Sequence, residues 1–182
     1  MYIAEKLRKE NIAEYLIYMW QVEDLMRAFN LDIDRVSEAY LVRFGELTQE
    51  QRAELTQWYA DIIQMMRGEK IQGGGHLQIC RNVIINLADL HGRLMASHKY
   101  PYYHEAYHKA LPLIVEFRSR QQTDSEHHEL ESCFELLYGV MLLKMQGREV
   151  SADTQRAVET VSAFLGMLSD YYQKERADQL EL

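Results

Sequence analysis

Residues Asn11 to Phe29 read as a helix that is apolar almost all the way round, a pattern that fits only an interior position with neighbours on most sides. At a helical period Ile12, Tyr15, Leu16, Met19, Val22 and Met26 form a wide stripe. Ala13, Ile17, Tyr18, Trp20, Leu25 and Phe29 extend it, and only Glu14 and Gln21 make a clearly polar strip. Glu23 falls between Ile12 and Leu16 on the helical wheel, with Asp24 and Arg27 close by. An unpaired buried charge is very costly, so charges in this position must be paired or put to use. Glu23 and Arg27 are spaced i, i+4, the spacing of a pair on one helix face. The expectation is an interior Glu23–Arg27 ion pair that fixes helix register. The alternative is a ligand pocket lined by Trp20, Glu23 and Arg27, with His91 as a further member.

The rest of the chain is equally helical in character. Of its 182 residues only 9 are Gly and 2 are Pro, too few breakers for a β-rich or loop-rich fold. The length fits one domain that covers residues 1–182 and needs no metal or disulfide staple to bury a core. A net charge of −8, with no run of Lys or Arg, disfavours nucleic acid and anionic membrane as partners. The N-terminal residues contain no uninterrupted apolar signal region. The best apolar run, Val83 to Leu90, is broken by Asn86 and Asp89, and no segment approaches the roughly 20 apolar residues that span a bilayer. Cys80 and Cys133 both fall on apolar helix faces and form no C-x-x-C motif. They read as buried free thiols, and the protein as soluble and cytoplasmic.

Seven helices are expected, with their ends set by local signals. The first, about 11–29, has Asn11 as cap and Glu14 as capping-box partner. The second spans about 33–45, opened by Asp32 or Asp34 and stopped at Gly45. Thr48 with Gln51 opens the third, which reaches about Gly68. A glycine loop, 68–75, then leads to a fourth helix over about 76–98. Its seam is Leu77, Cys80, Ile84, Leu87, His91, Leu94 and His98. Pro101 suits the first turn of a fifth helix, to about 121, which Pro112 should kink or split. The sixth is expected to open near Thr123 to Ser125, with Thr123 and Glu126 as a capping box, and to end at Gly147. Ser151 caps the seventh, with a seam of Val158, Val161, Leu165, Leu168 and Tyr172. The charged tail from about 173 to 182 is expected to fray. The short connections imply that successive helices are often antiparallel neighbours.

The sharpest motif match is His104-Glu105-Ala106-Tyr107-His108. It has the H-E-x-x-H form, in which two histidines one turn apart bind zinc and the glutamate acts as general base. Glu126, Glu129 or Glu131 would have to complete such a site from another helix. Against it, Pro101 puts the motif in the first turns of its helix, and Lys109 follows the second histidine directly. The expectation is therefore no metal, with His104, Glu105 and His108 as the alternative metal site. His91 and His98 on an apolar seam read as core histidines with satisfied ring nitrogens. Asn82, Asn86, Asp89 and Arg93 make a polar stripe that suits a solvated face. Gly73-Gly74-Gly75 before a helix start would suit an anion cradle, but no Lys-Ser or Lys-Thr follows, and a flexible turn is the expectation. Tyr100, Tyr102, Tyr103 and Tyr107 cluster near Pro101, as in partly buried packing or an oligomer interface.

The segment Asn-Ile-Ala-Glu-Tyr-Leu-Ile-Tyr-Met-Trp-Gln-Val-Glu-Asp-Leu-Met-Arg-Ala, residues 11–28, resembles the leading part of a bacterial family of about this length, described only as a domain of unknown function. The resemblance implies a bacterial helical protein and supplies no activity, cofactor or site. Taken together, the sequence predicts an all-α fold. It is a single-domain irregular bundle of six or seven helices with the apolar first helix at its centre. The leading functional expectation is a non-enzymatic interaction module that forms a homodimer or binds a protein partner, without a cofactor. The alternative is a small-molecule or metal-binding helical protein, an enzyme among the possibilities, with its site near Glu23 and His91 or at His104 and His108.

Overall fold

Most of the helices begin where a side chain can accept the first free backbone N–H groups. Asp32 Oδ1 accepts from the amides of Asp34 and Arg35. Thr48 and Gln51 form the reciprocal capping box, and Ser151 Oγ accepts from Thr154 N–H at 3.1 Å. The computed structural model describes residues 2–45, 47–121 and 128–181. Among these residues it is all-α: α1 Tyr2–Glu10, α2 Ile12–Ala28, α3 Ile33–Ala39, α4 Gln49–Gly68, α5 Gln78–Ala96, α6 Pro101–Gln121, α7 Glu129–Met145 and α8 Ala152–Arg176. No described helix is long and apolar enough to cross a membrane.

The count is eight helices among the described residues, against the six or seven expected. The additional one is α1, which Asn11 separates from α2. Asn11 Oδ1 accepts from Ala13 N–H at 3.1 Å, so a second helix starts where the first stops. Other boundaries shift for local reasons. The second expected helix closes early at Ala39 and continues as a 3₁₀ turn, Leu41–Arg43. The α5 helix ends at Ala96, which leaves His98 beyond it and exposed rather than on the seam. The α6 helix runs unbroken through Pro112, which lies on an exposed position. His128 caps α7, and the start expected near Thr123 to Ser125, with its Thr123–Glu126 capping box, lies outside the described residues. The His128 Nδ1 accepts from Leu130 N–H at 3.2 Å. Gly147 follows α7 in the left-handed region (φ 70°), and the amides of Gly147 and Arg148 close the last turn. The α8 helix continues past Tyr172 to Arg176, held by an Arg93–Glu175 ion pair at 2.5 Å.

Two compact units emerge from the contacts: Met1–Lys9 with Glu14–Asn82, and Glu10–Ala13 with Val83–Leu182. In the first, α2 buries Tyr15, Leu16, Met19, Trp20, Val22 and Met26, and α4 buries Tyr59, Ile62, Ile63 and Met66. Tyr18, Leu25 and Phe29 are half-buried, so the wide stripe foreseen for this helix is its buried face. The core of the second unit is built from α5 (Leu87, Leu90, Leu94), α6 (Tyr103, Ala110, Ile114), α7 (Leu130, Cys133, Phe134) and α8 (Val161, Phe164, Leu168).

Directions in the second unit depart from the antiparallel expectation. Tyr107, early in α6, bonds Glu129 at the start of α7, and the late residues Phe117 and Leu143 line one groove. These two helices therefore run the same way. The α8 helix runs against both. Tyr103 meets Tyr171, and Lys144 bonds Gln155 at 2.6 Å.

Candidate functional site

Glu23 is fully buried, but its partner is not Arg27. Its Oε1 accepts from Leu77 N–H at 2.9 Å, and its Oε2 lies 2.7 Å from His76 Nδ1. A carboxylate can only accept, so Nδ1 carries the proton in this contact. The His76 ring stacks on Trp20, with centroids 4.0 Å apart and planes 12° apart. Burial, and then the Glu23 charge, push the Cys80 thiol well above its ordinary range. Glu23 thus serves as an N-terminal cap for α5, delivered from another helix to where the helix dipole favours negative charge.

Arg27 points to the loop instead. It pairs with Asp24 at 2.8 Å and donates to the carbonyls of Ile71, at 3.3 Å, and Gly75. The i, i+4 expectation fails because the start of α5 offers Glu23 the backbone donor of Leu77, whereas Asp24 sits nearer solvent beside Arg27. Gly75 has φ 84°, a left-handed conformation that lets the loop present its carbonyl to Arg27. With Leu77 N–H taken by Glu23 and Gln78 N–H by Glu69 at 2.7 Å, the start of α5 already holds two carboxylates of its own chain. The Gly73-Gly74-Gly75 run is a turn held by Arg27, not an anion cradle.

His91 belongs to the second unit and takes its partners there. Its Nδ1 lies 2.7 Å from Tyr103 Oη, and its Nε2 lies 3.4 Å from Glu129 Oε1, a long contact. Tyr107 Oη donates to both oxygens of Glu129, at 3.0 and 3.1 Å. His91 is the largest influence holding the Glu129 carboxyl below its usual range. Tyr107 adds to it and burial opposes it. Burial, and then the Glu129 charge, push the Tyr107 phenol up to about 12. The chain carboxylate–imidazole–phenol has the order of a nucleophile-activating triad, but its hydroxyl, that of Tyr103, is fully buried. His91 is therefore a core histidine with both ring nitrogens engaged, as its place on an apolar seam implied.

The H-E-x-x-H residues do not converge. His104 Nε2 lies 2.9 Å from the Leu94 carbonyl, Glu105 pairs with Lys109 at 2.6 Å on the surface, and His108 is exposed. Glu129 is committed to Tyr107 and His91, and Glu126 lies outside the described residues. Among the described residues no group of three His, Cys, Asp or Glu side chains is placed to hold a metal ion. The Asn82, Asn86, Asp89 and Arg93 stripe is exposed along its length.

A concavity lies elsewhere in the second unit, between the second half of α6, the middle of α7 and the first half of α8. It encloses about 1010 Å3. Leu113 and Phe117, Leu136 and Val140, and Ala157 make its apolar walls. Glu116–Arg120 at 2.5 Å and Asp153–Arg156 are ion pairs on the two outer walls. All the α6 residues that line it follow Pro112. A smaller apolar depression of about 450 Å3 lies along α7 and α8 at Leu137, Met141, Met145 and Val158. The sequence reading named none of these residues as a site. The available signal was α7 itself, whose apolar residues are spread round the helix between Glu129, Glu131, Glu135 and Lys144.

These features define a class: an all-α protein whose buried ionisable groups hold its helices together and whose groove mixes apolar and charged side chains. The chain belongs to the family described as Domain of unknown function (DUF4924), whose model matches residues 1–179. Neither a curated protein nor a solved structure matches the chain.

Proposed function

We propose that this protein is a non-enzymatic helical interaction module that forms a homodimer through the outer side of α7. The observation that carries this reading is the mismatch between composition and cover on that helix. A helix as rich in apolar residues as α7 is normally enclosed on most sides. Yet Leu137 and Met141 are half-buried, and Met145 keeps 72% of its surface exposed. These three residues follow one another at one-turn spacing, flanked by Val158 of α8. The neighbouring charge, Lys144, is held by Gln155. A stripe without like charges is self-complementary about a two-fold axis, the commonest symmetry of soluble assemblies.

Two further observations support a binding role over catalysis. The ionisable groups of interest, Glu23 with His76 and Glu129 with His91 and Tyr107, are engaged with one another and with backbone. The net charge of −8 favours a protein partner over nucleic acid. Two free buried cysteines suit a reducing cytoplasm, and the family resemblance suits a bacterial source. Sedimentation equilibrium tests the proposal. The wild-type chain is expected at twice the chain mass, and Met145→Glu, at a position too exposed to matter for folding, at the monomer mass. A wild-type monomer at high micromolar concentration, or a Met145→Glu dimer as tight as wild type, overturns it.

A further inference from the structure

We propose that His76 is a phosphoryl-accepting histidine, a nucleophile at Nε2 toward small donors of an activated phosphoryl group such as phosphoramidates and acyl phosphates. The pairing of His76 with Glu23 carries the argument. Glu23 has no exposed surface, and its Oε2 lies 2.7 Å from His76 Nδ1. That carboxylate fixes the proton on Nδ1, so the lone pair of the neutral ring lies on Nε2. The Trp20 indole, stacked at 4.0 Å, fixes the plane of the ring. Nε2 itself has no hydrogen-bond partner among the described residues, and it is open to solvent rather than enclosed. The side chain as a whole keeps 25% of its surface exposed. Satisfying Glu23 uses only Nδ1. An imidazole oriented by a buried acid, with its other nitrogen bare, has the arrangement of an activated nucleophile.

The step balances on these groups. The Nε2 lone pair forms a bond to phosphorus as the bond from phosphorus to the leaving group breaks, and that group departs with the electron pair. Phosphoramidate, protonated on its nitrogen, loses neutral ammonia. The ring then carries both Nδ1–H and Nε2–P and has gained one positive charge. The Glu23 carboxylate, already beside Nδ1 and out of water, balances that charge without moving. Fixed electrostatic stabilisation of this kind is the main help a protein gives to phosphoryl transfer.

The surroundings favour phosphorus over other electrophiles. Acyl transfer needs free donors for an oxyanion, and the nearest backbone amides, of Leu77 and Gln78, are already held by Glu23 and Glu69. A metal ion would face two guanidinium groups. Arg27 donates to the carbonyl of Gly75, and Arg81 Nε donates to that of His76 at 3.0 Å. Arg27 is paired with Asp24. Arg81 is half exposed and holds Glu69 only at 4.0 Å, beyond hydrogen-bond distance, so its guanidinium keeps N–H donors for a phosphoryl oxygen. All these residues belong to the first unit, and the α7 contact proposed for the homodimer belongs to the second, so the two readings stand or fall separately.

The probe is potassium phosphoramidate in neutral buffer, applied to the full wild-type chain. Peptide mass mapping locates the phosphorylated histidines, and phosphorus NMR reads the ring position. The chain supplies its own controls, because His98 and His108 are exposed and neither has a carboxylate on its ring among the described residues. His76 is expected to react at least about fivefold faster than either, and at Nε2 alone, although it is the most covered of the three. Glu23→Gln, checked by circular dichroism to keep the fold, should bring His76 down to the rate of the other two. A purely structural cap gives the reverse order, with His76 the slowest because it is the least exposed. That order, equal rates, or reaction at Nδ1 overturns the proposal, as does a Glu23→Gln chain that reacts as fast as wild type. One equivalent of zinc that wild type binds and His76→Gln loses would make Nε2 a metal ligand and overturn it too.

Discussion

Removing the Glu23 side chain should destabilise the first unit, and the structure says where the loss arises. Glu23→Ala strips the buried Leu77 N–H of its acceptor, at about 1–3 kcal/mol for an unsatisfied buried donor. It removes a carboxylate from the start of α5, worth about 0.3–2 kcal/mol depending on burial. It also frees His76, which is partly exposed and can turn to water, so this contribution is the smallest. Together these give about 1–5 kcal/mol, and the upper part of that span is the 3–5 kcal/mol, roughly, seen when one partner of a buried charge pair is deleted. In a chain of this size that corresponds to a fall in Tm of about 2–20 °C. Glu23→Gln keeps the Leu77 bond and the shape, and should cost only about 1 kcal/mol. Both tryptophans, Trp20 and Trp58, lie in the first unit, so urea unfolding followed by indole fluorescence reads this region directly. The reasoning is refuted if Glu23→Ala stays within about 1 kcal/mol of wild type, or if the glutamine variant is as damaged as the alanine one.

Two other outcomes are expected. The lowered Glu129 carboxyl gives the second unit stability that is complete above the ordinary unfolded value of about 4.3 and is lost as pH falls through the folded value. Glu129→Gln should therefore flatten the acid limb of the stability profile below that pH and leave its neutral-to-alkaline part parallel to wild type; parallel acid limbs would count against the assignment. Burial holds both thiols in the protonated, unreactive form, so neither Cys80 nor Cys133 should react with an aromatic disulfide reagent at pH 8 until the chain is unfolded, when both should. Rapid native labelling of either would contradict the burial that the packing implies.

Local free energies made much of this protein readable from its sequence. Apolar periodicity gave the helices, and short-range caps gave their starts, because Thr48–Gln51 and Ser151–Thr154 are contacts three residues apart. The need to satisfy Glu23 was also legible, since its place on the apolar side of α2 sets the cost of burying it alone. The identity of its partner was not. Periodicity on one helix favoured Arg27 at i+4, but the energy minimum lies with a ring and an amide 53 and 54 residues away, at a helix start that only folding brings to α2. The same holds for His91. Its seam position marked it as buried, while Tyr103 and Glu129 were chosen by how α5, α6 and α7 meet. The groove is the extreme case. Its residues, charged Glu116, Arg120, Asp153 and Arg156 beside apolar Leu113, Phe117, Leu136 and Val140, come from three helices. They meet because α6 and α7 run the same way with α8 against them, and the direction of one helix beside another is set by packing among distant segments, which no local pattern encodes.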